Sequence, residues 1–162
     1  MVPQQVREFL DRERVAYQVV AHEKAFTAQG VAATLHVSGW TFAKTVILKT
    51  RDGRLVMAVL AGPHNVNLKA ARAVVGSEVD LAPEAEFAPK FPGCELGAEP
   101  PLGNLYGLPV YIDACFPPAQ DFFFQAGNHH EVVRMRYQEY ERLVKPVVGE
   151  FCLHEREKSR SQ

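Results

Sequence analysis

The chain has no apolar run long enough to cross a membrane. The longest, Leu55-Val-Met-Ala-Val-Leu-Ala61, has seven residues, against the roughly 20 of a spanning helix, and it reads as a buried strand. No basic stretch followed by an apolar segment opens the sequence, so no secretory signal is read and the expected compartment is the cytoplasm. Cysteine is scarce: Cys94, Cys115 and Cys152 are odd in number and contain no CxxC pair. That spacing argues against a disulfide framework or a zinc site and for reduced thiols. An excess of either charge is also missing. Eighteen Lys and Arg face 19 Asp and Glu, a formal charge of −1, which excludes a generally basic nucleic-acid coat and leaves any RNA contact to a local patch.

The familiar catalytic signatures are absent too. There is no Ser-His-Asp order, no GxSxG elbow, no Walker loop and no GxGxxG after a strand. Glu95 and Glu99 flank one loop, but nothing in the sequence brings a second acid close. His129 and His130 are adjacent, and adjacent residues of an extended turn point to opposite sides; neither a metal site nor any other cofactor is expected.

What the sequence does have is a dense Gly/Pro stretch, from Phe91 to Asp113, with four glycines and four prolines in its first 19 positions. Such a density fixes backbone shape and holds N–H and C=O groups in set directions, as a ligand-binding loop or as a wide connection between elements. With 47% hydrophobic residues among 162, the chain is read as one globular domain, residues 1–150, with a polar C-terminal tail over 151–162. Helices are expected over 3–14, from an N-capping Thr27 to His36, from an N-capping Asn67 to Val75 with Gly76 closing it, and over 138–144 before Pro146. Strands are expected over 15–20, 108–113, 121–126 and 131–136, with a hairpin of 43–50 and 54–60 turning on Asp52-Gly53. Mixed in this order, they indicate α+β: a curved, mostly antiparallel sheet or barrel-like core with helices around it.

Alternation along the strand after Phe42 puts Lys44, Val46 and Leu48 on one face, so an ammonium stands in line with core-directed groups. Such a lysine either meets an anionic or carbonyl partner or snorkels from a strand edge to water. The polar turn Gly127-Asn128-His129 beside the sheet is positioned to present side chains to a pocket.

Three stretches together resemble the YbaK family, the free-standing relatives of the editing domain inserted in bacterial prolyl-tRNA synthetases. They are Phe42-Ala-Lys44-Thr45-Val46, Gly97-Ala98-Glu-Pro100-Pro101-Leu-Gly103 running on to Asp113, and Ala126-Gly127-Asn128-His129 followed by Arg134-Met135. The resemblance implies hydrolysis of the ester bond of a mischarged aminoacyl-tRNA. Its family lysine matches Lys44, which would position the acceptor end, and its GxxxP loop matches Gly97 to Pro101, whose backbone amides would surround the reacting carbonyl. It further implies that Phe26, Thr27, Thr45, Ala98, Pro100, Gly103, Gly127, Asn128 and His129 contact substrate. The implied partner is the acceptor end of aminoacyl-tRNA, its body held by local cations such as Lys49, Arg51, Arg54, Lys69 and Arg72 or by a partner synthetase. The alternatives are a non-catalytic module of the same fold that binds an amino acid or aminoacyl-nucleotide, and a hydrolase of another small acyl ester.

Overall fold

The computed structural model describes residues 2–25, 27–117 and 120–153. In chain order it contains α1 (Gln4–Arg12), β1 (Gln18–Ala21), α2 (Ala28–Thr34), β2 (Ala43–Thr50), β3 (Leu55–Ala61), β4 (Asn65–Val66), α3 (Leu68–Val75) and β5 (Val79–Leu81). There follow α4 (Glu84–Phe87), β6 (Val110–Asp113), β7 (Asp121–Gln125), β8 (Glu131–Arg136), α5 (Tyr137–Val144), β9 (Val147–Gly149) and β10 (Cys152–Leu153). The α+β class read from the sequence is the observed one.

Local chemistry sets most of the boundaries. Val6, Phe9 and Leu10 recur at helical spacing and bury one face of α1. That helix ends where Arg14 turns left-handed, φ 56°, and the Val15 N–H reaches back to the Leu10 carbonyl; this closure holds Val15 and delays β1 to Gln18. The same device ends α2 before His36, itself at φ 56°, as the Val37 N–H bonds the Ala32 carbonyl. Thr27 Oγ1 accepts from the Gly30 N–H at 2.9 Å, and Asn67 Oδ1 from the Ala70 N–H at 3.2 Å, so both expected N-caps form. Gly76, at φ 80°, closes α3. In the hairpin, Gly53 adopts φ 89° and β2 pairs with β3 from Ala43–Ala61 to Lys49–Leu55.

The strands form a five-stranded sheet in the order β5-β2-β3-β6-β9, a three-stranded sheet β1-β8-β7, and the pair β10-β4. Among the described residues only β3–β6 and β6–β9 are parallel ladders. The two larger sheets are not closed into a barrel; one parallel bridge, Phe42–Phe123, joins them, with the two rings stacked at 6.0 Å. Between the sheets lies the main core, where Met57, Val59 and Ile112 meet Phe122, Phe124, Val133 and Met135 under α1 and α5. Leu48, Val56, Ala58 and Leu60 face the other way, toward α3 and Phe151. A third cluster packs Val31 and Ala32 of α2 on Phe42, Phe123 and Val132. Each Val, Leu, Ile, Phe or Met among them, taken fully out of water, contributes about 1.5–3 kcal/mol.

Candidate active site

The Gly/Pro stretch is tied to the β7–β8 turn by its own backbone. The Glu95 N–H donates to the Gly127 carbonyl at 2.8 Å, and the Gly127 N–H to the Ala98 carbonyl at 2.7 Å. Within the loop the Ala98 N–H bonds the Glu95 carbonyl, 3.0 Å; Gly97 turns at φ 87°, and its N–H reaches Glu99 Oε1 at 3.2 Å. The Tyr140 hydroxyl, wholly buried, holds the Pro101 carbonyl at 2.6 Å. Gly103 is a packing glycine: a Cβ there would stand 2.3 Å from the Leu108 carbonyl oxygen. Gly127 is another, with φ 101° and the Pro3 ring 2.7 Å from a virtual Cβ.

His129, 3% exposed, locks the other side of this loop. Its Nε2 lies 2.8 Å from the Leu96 carbonyl oxygen and 3.8 Å from Glu95 Oε2, while Glu95 Oε2 also accepts the His129 backbone N–H at 3.2 Å. Gln125 Nε2 stands 3.4 Å from Nδ1. A proton on Nε2 satisfies both contacts, with Nε2 donating to Leu96 and Nδ1 accepting from Gln125. Asn128 faces inward to its own turn, Oδ1 accepting from the His130 and Glu131 N–H groups at 2.8 Å each.

Opposite the loop runs an edge of β2. From the Phe42–Phe123 bridge, two residues on along each strand bring Lys44 and Gln125 to the same face. Lys44 is half-buried, and its Nζ lies 3.5 Å from Asn65 Oδ1. Thr45 points to the other face, where with Ile47, Gly97 and Glu99 it lines a cleft of about 370 Å³. Glu99 is 7% exposed; burial raises its carboxyl above the usual range, partly offset by backbone N–H groups, that of Gly97 among them. Cys94, in the same loop, is no ready nucleophile: burial raises its thiol, and the Tyr106 hydroxyl is 3.7 Å away.

The aminoacyl-tRNA editing domain family matches residues 22–143, well over half of the chain and all of the elements that build this seam. The chain belongs to that family. Among solved structures it is similar to the hypothetical protein APE2540, at 19% identity over 93% of this chain and 100% of that one, TM-score 0.82. It is also similar to a candidate trans-editing enzyme for prolyl tRNA synthetase, at 20% identity over 93% of this chain and 96% of that one, TM-score 0.78. A third likeness, to a protein described as acting in signal transduction in Marinobacter aquaeolei VT8, covers 95% of this chain but 31% of the other, at 16% identity and TM-score 0.72. At these identities the structures share the fold. A search of curated proteins found no match.

In this editing domain the residues singled out from the sequence fall into three groups. Thr45 and Gly97 line one cleft, and Lys44 stands on the opposite face of the same strand edge. Ala98, Pro100, Pro101, Gly103, Gly127, Asn128 and His129 build or brace the loop, all of them buried. Thr27 caps α2 and is exposed; Phe26 lies outside the described residues. The sequence reading missed Glu99 as a cleft carboxylate, Gln125 as the partner of His129, and Asn65 as the partner of Lys44. An acid two residues after Gly97 was the available signal for Glu99; the other two arise from contacts between distant segments. Of the cations expected to meet the tRNA body, Lys49 pairs with Glu86 at 2.8 Å, Arg54 with Asp52 at 2.9 Å, and Arg72 with Glu78 at 3.1 Å. No helix among the described residues is long and apolar enough to cross a membrane.

Proposed function

We propose that this editing domain is a trans-acting deacylase that hydrolyses the ester of a mischarged aminoacyl-tRNA. The observation that carries the reading is the cleft in which Thr45 of β2 faces the glycine-turned loop at Gly97 and Glu99, with the half-buried Lys44 next to Thr45 along the same strand. The ammonium of Lys44 holds the phosphate or the ester oxygen of the acceptor end. An aminoacyl ester is already activated, so a positioned water and a stabilised oxyanion suffice for hydrolysis without a protein nucleophile. Water adds to the ester carbonyl carbon, the bond to the ribose oxygen breaks, and that oxygen leaves with a proton as the free amino acid is released. The Gly97 N–H already holds a carboxylate oxygen, that of Glu99, which supports its capacity to hold a developing oxyanion once Glu99 turns aside. Glu99, its carboxyl raised by burial, is the cleft group suited to take the proton from water; the substrate's own ribose hydroxyl is the other candidate.

A second reading, a binding module for an amino acid or aminoacyl-nucleotide, draws on the same loop. The Gly97 and Ala98 N–H groups are both bonded within the chain, as a loop that shapes a pocket without catalysing would have them. Release of labelled amino acid from aminoacyl-tRNA separates the two: a deacylase turns over, whereas a module binds without release.

A further inference from the structure

Away from the seam, the ends of three strands bring together a set of metal-ligand side chains. His64 Nδ1 or Nε2, a carboxylate oxygen of Asp113 and Cys115 Sγ all lie within 4.8 Å of one another. His64 and Asp113 are each 3% exposed. Cys152 Sγ, in β10, is 3.3 Å from Asp113 Oδ2 and donates to it, which puts a fourth donor at the same carboxylate. Asp113 Oδ1 is held by the Phe151 N–H at 2.9 Å, leaving Oδ2 to the Cys152 thiol; such outer contacts orient a ligand.

We infer that His64, Asp113 and Cys115 form a zinc site at the ends of β3 and β6, and that Cys152, hydrogen-bonded to Asp113, swings in as its fourth ligand and so fastens the C-terminal segment there. One nitrogen, one oxygen and two sulfurs are a set that zinc takes tetrahedrally. Ligand atoms about such an ion stand about 3.3–3.8 Å apart, given bond lengths of about 2.0–2.3 Å, so the three clustered groups close on an ion by small side-chain adjustments, and Cys152, outside that cluster, completes the shell by turning from Asp113 to the ion. As the ion binds, both thiols release their protons to solvent, and the contact from Cys152 to Asp113 gives way to a bond from each to the metal. With four protein ligands the site is closed and structural. A small cavity of about 160 Å³ beside Asp113, Ala114, Cys115 and Glu150 provides the access path. The four positions are scattered over 64, 113, 115 and 152, which is why no CxxC spacing announces them.

Titration of the reduced full-length protein with Co²⁺ tests the site. One equivalent, a thiolate-to-cobalt charge-transfer band and displacement by Zn²⁺ are expected. Cys115→Ser and His64→Gln should each weaken Zn²⁺ binding by at least about tenfold, and EDTA should lower the Tm of the wild type but not of either variant. The wild-type band decides the matter if a variant fails to fold. Absence of that band, or a disulfide between Cys115 and Cys152 in place of metal, overturns the proposal.

Discussion

His129 Nε2 lies 2.8 Å from the carbonyl oxygen of Leu96, a residue 33 positions earlier, and fixes the orientation of the peptide that leads into Gly97. The ring is buried, and its contact with Gln125 is made inside the fold.

His129→Ala therefore leaves the Leu96 carbonyl and the Gln125 amide without that partner, at an expected cost of about 1–3 kcal/mol. Hydrogen exchange at residues 95–98 should accelerate more than exchange in β3. Unchanged protection in the loop would show that the backbone bonds to Gly127 hold it alone.

Glu99 predicts a pH dependence. Its carboxyl is raised in the folded chain by burial, so the folded state binds its proton more tightly than the unfolded one. Its contribution is favourable below the ordinary carboxylate value and is lost as pH rises through the raised one. Glu99→Gln should accordingly raise the Tm at neutral pH and flatten the Tm profile above pH 4.5, the ordinary value; about 1 kcal/mol corresponds to about 2–4 °C for a domain of this size. If Glu99 also takes the proton from water, turnover in that variant falls about 10²–10⁴-fold.

Gly127→Ala should be more damaging than its size suggests. At φ 101° an L-residue is strained, and the new methyl would meet the Pro3 ring at 2.7 Å. A loss of about 1–3 kcal/mol is expected from the backbone alone, read by denaturant unfolding. Gly53→Ala is the matched control: its φ is 89°, but nothing stands within 4 Å of a Cβ there. It should cost less.

The contrast between legible and hidden features follows the range of the interactions. Asn67 and Gly76 bracket α3 as the sequence implied, and the Asp52-Gly53 turn sets the β2–β3 register, because caps and tight turns are decided within a few residues. The face of Lys44 was also legible, from alternation with Val46 and Leu48. The strands β4, β5, β9 and β10 were not: each has two or three residues and exists by pairing with a distant partner, as Cys152 with Val66 and Tyr111 with Val147. The seam was hidden for the same reason, since the loop's register depends on Gly127, some 30 residues on. Asn128, expected to contact substrate, braces its own turn through the His130 and Glu131 N–H groups, an Asx turn that composition alone does not separate from a pocket side chain. Charge was legible as a total but not as pairs: Lys49, Arg54 and Arg72 all carry acidic partners on the surface.

The most direct test of the account is release of labelled amino acid from a panel of aminoacyl-tRNAs charged with Ala, Cys, Ser and Pro, with wild type and Lys44→Ala measured side by side. The account predicts hydrolysis of at least one member by the wild type. It predicts a loss of about 10²-fold or more in kcat/KM for the variant, about 2.7 kcal/mol of transition-state stabilisation, with the Tm within about 2 °C of wild type. Full activity in Lys44→Ala, or no release from any member by the wild type, would contradict it.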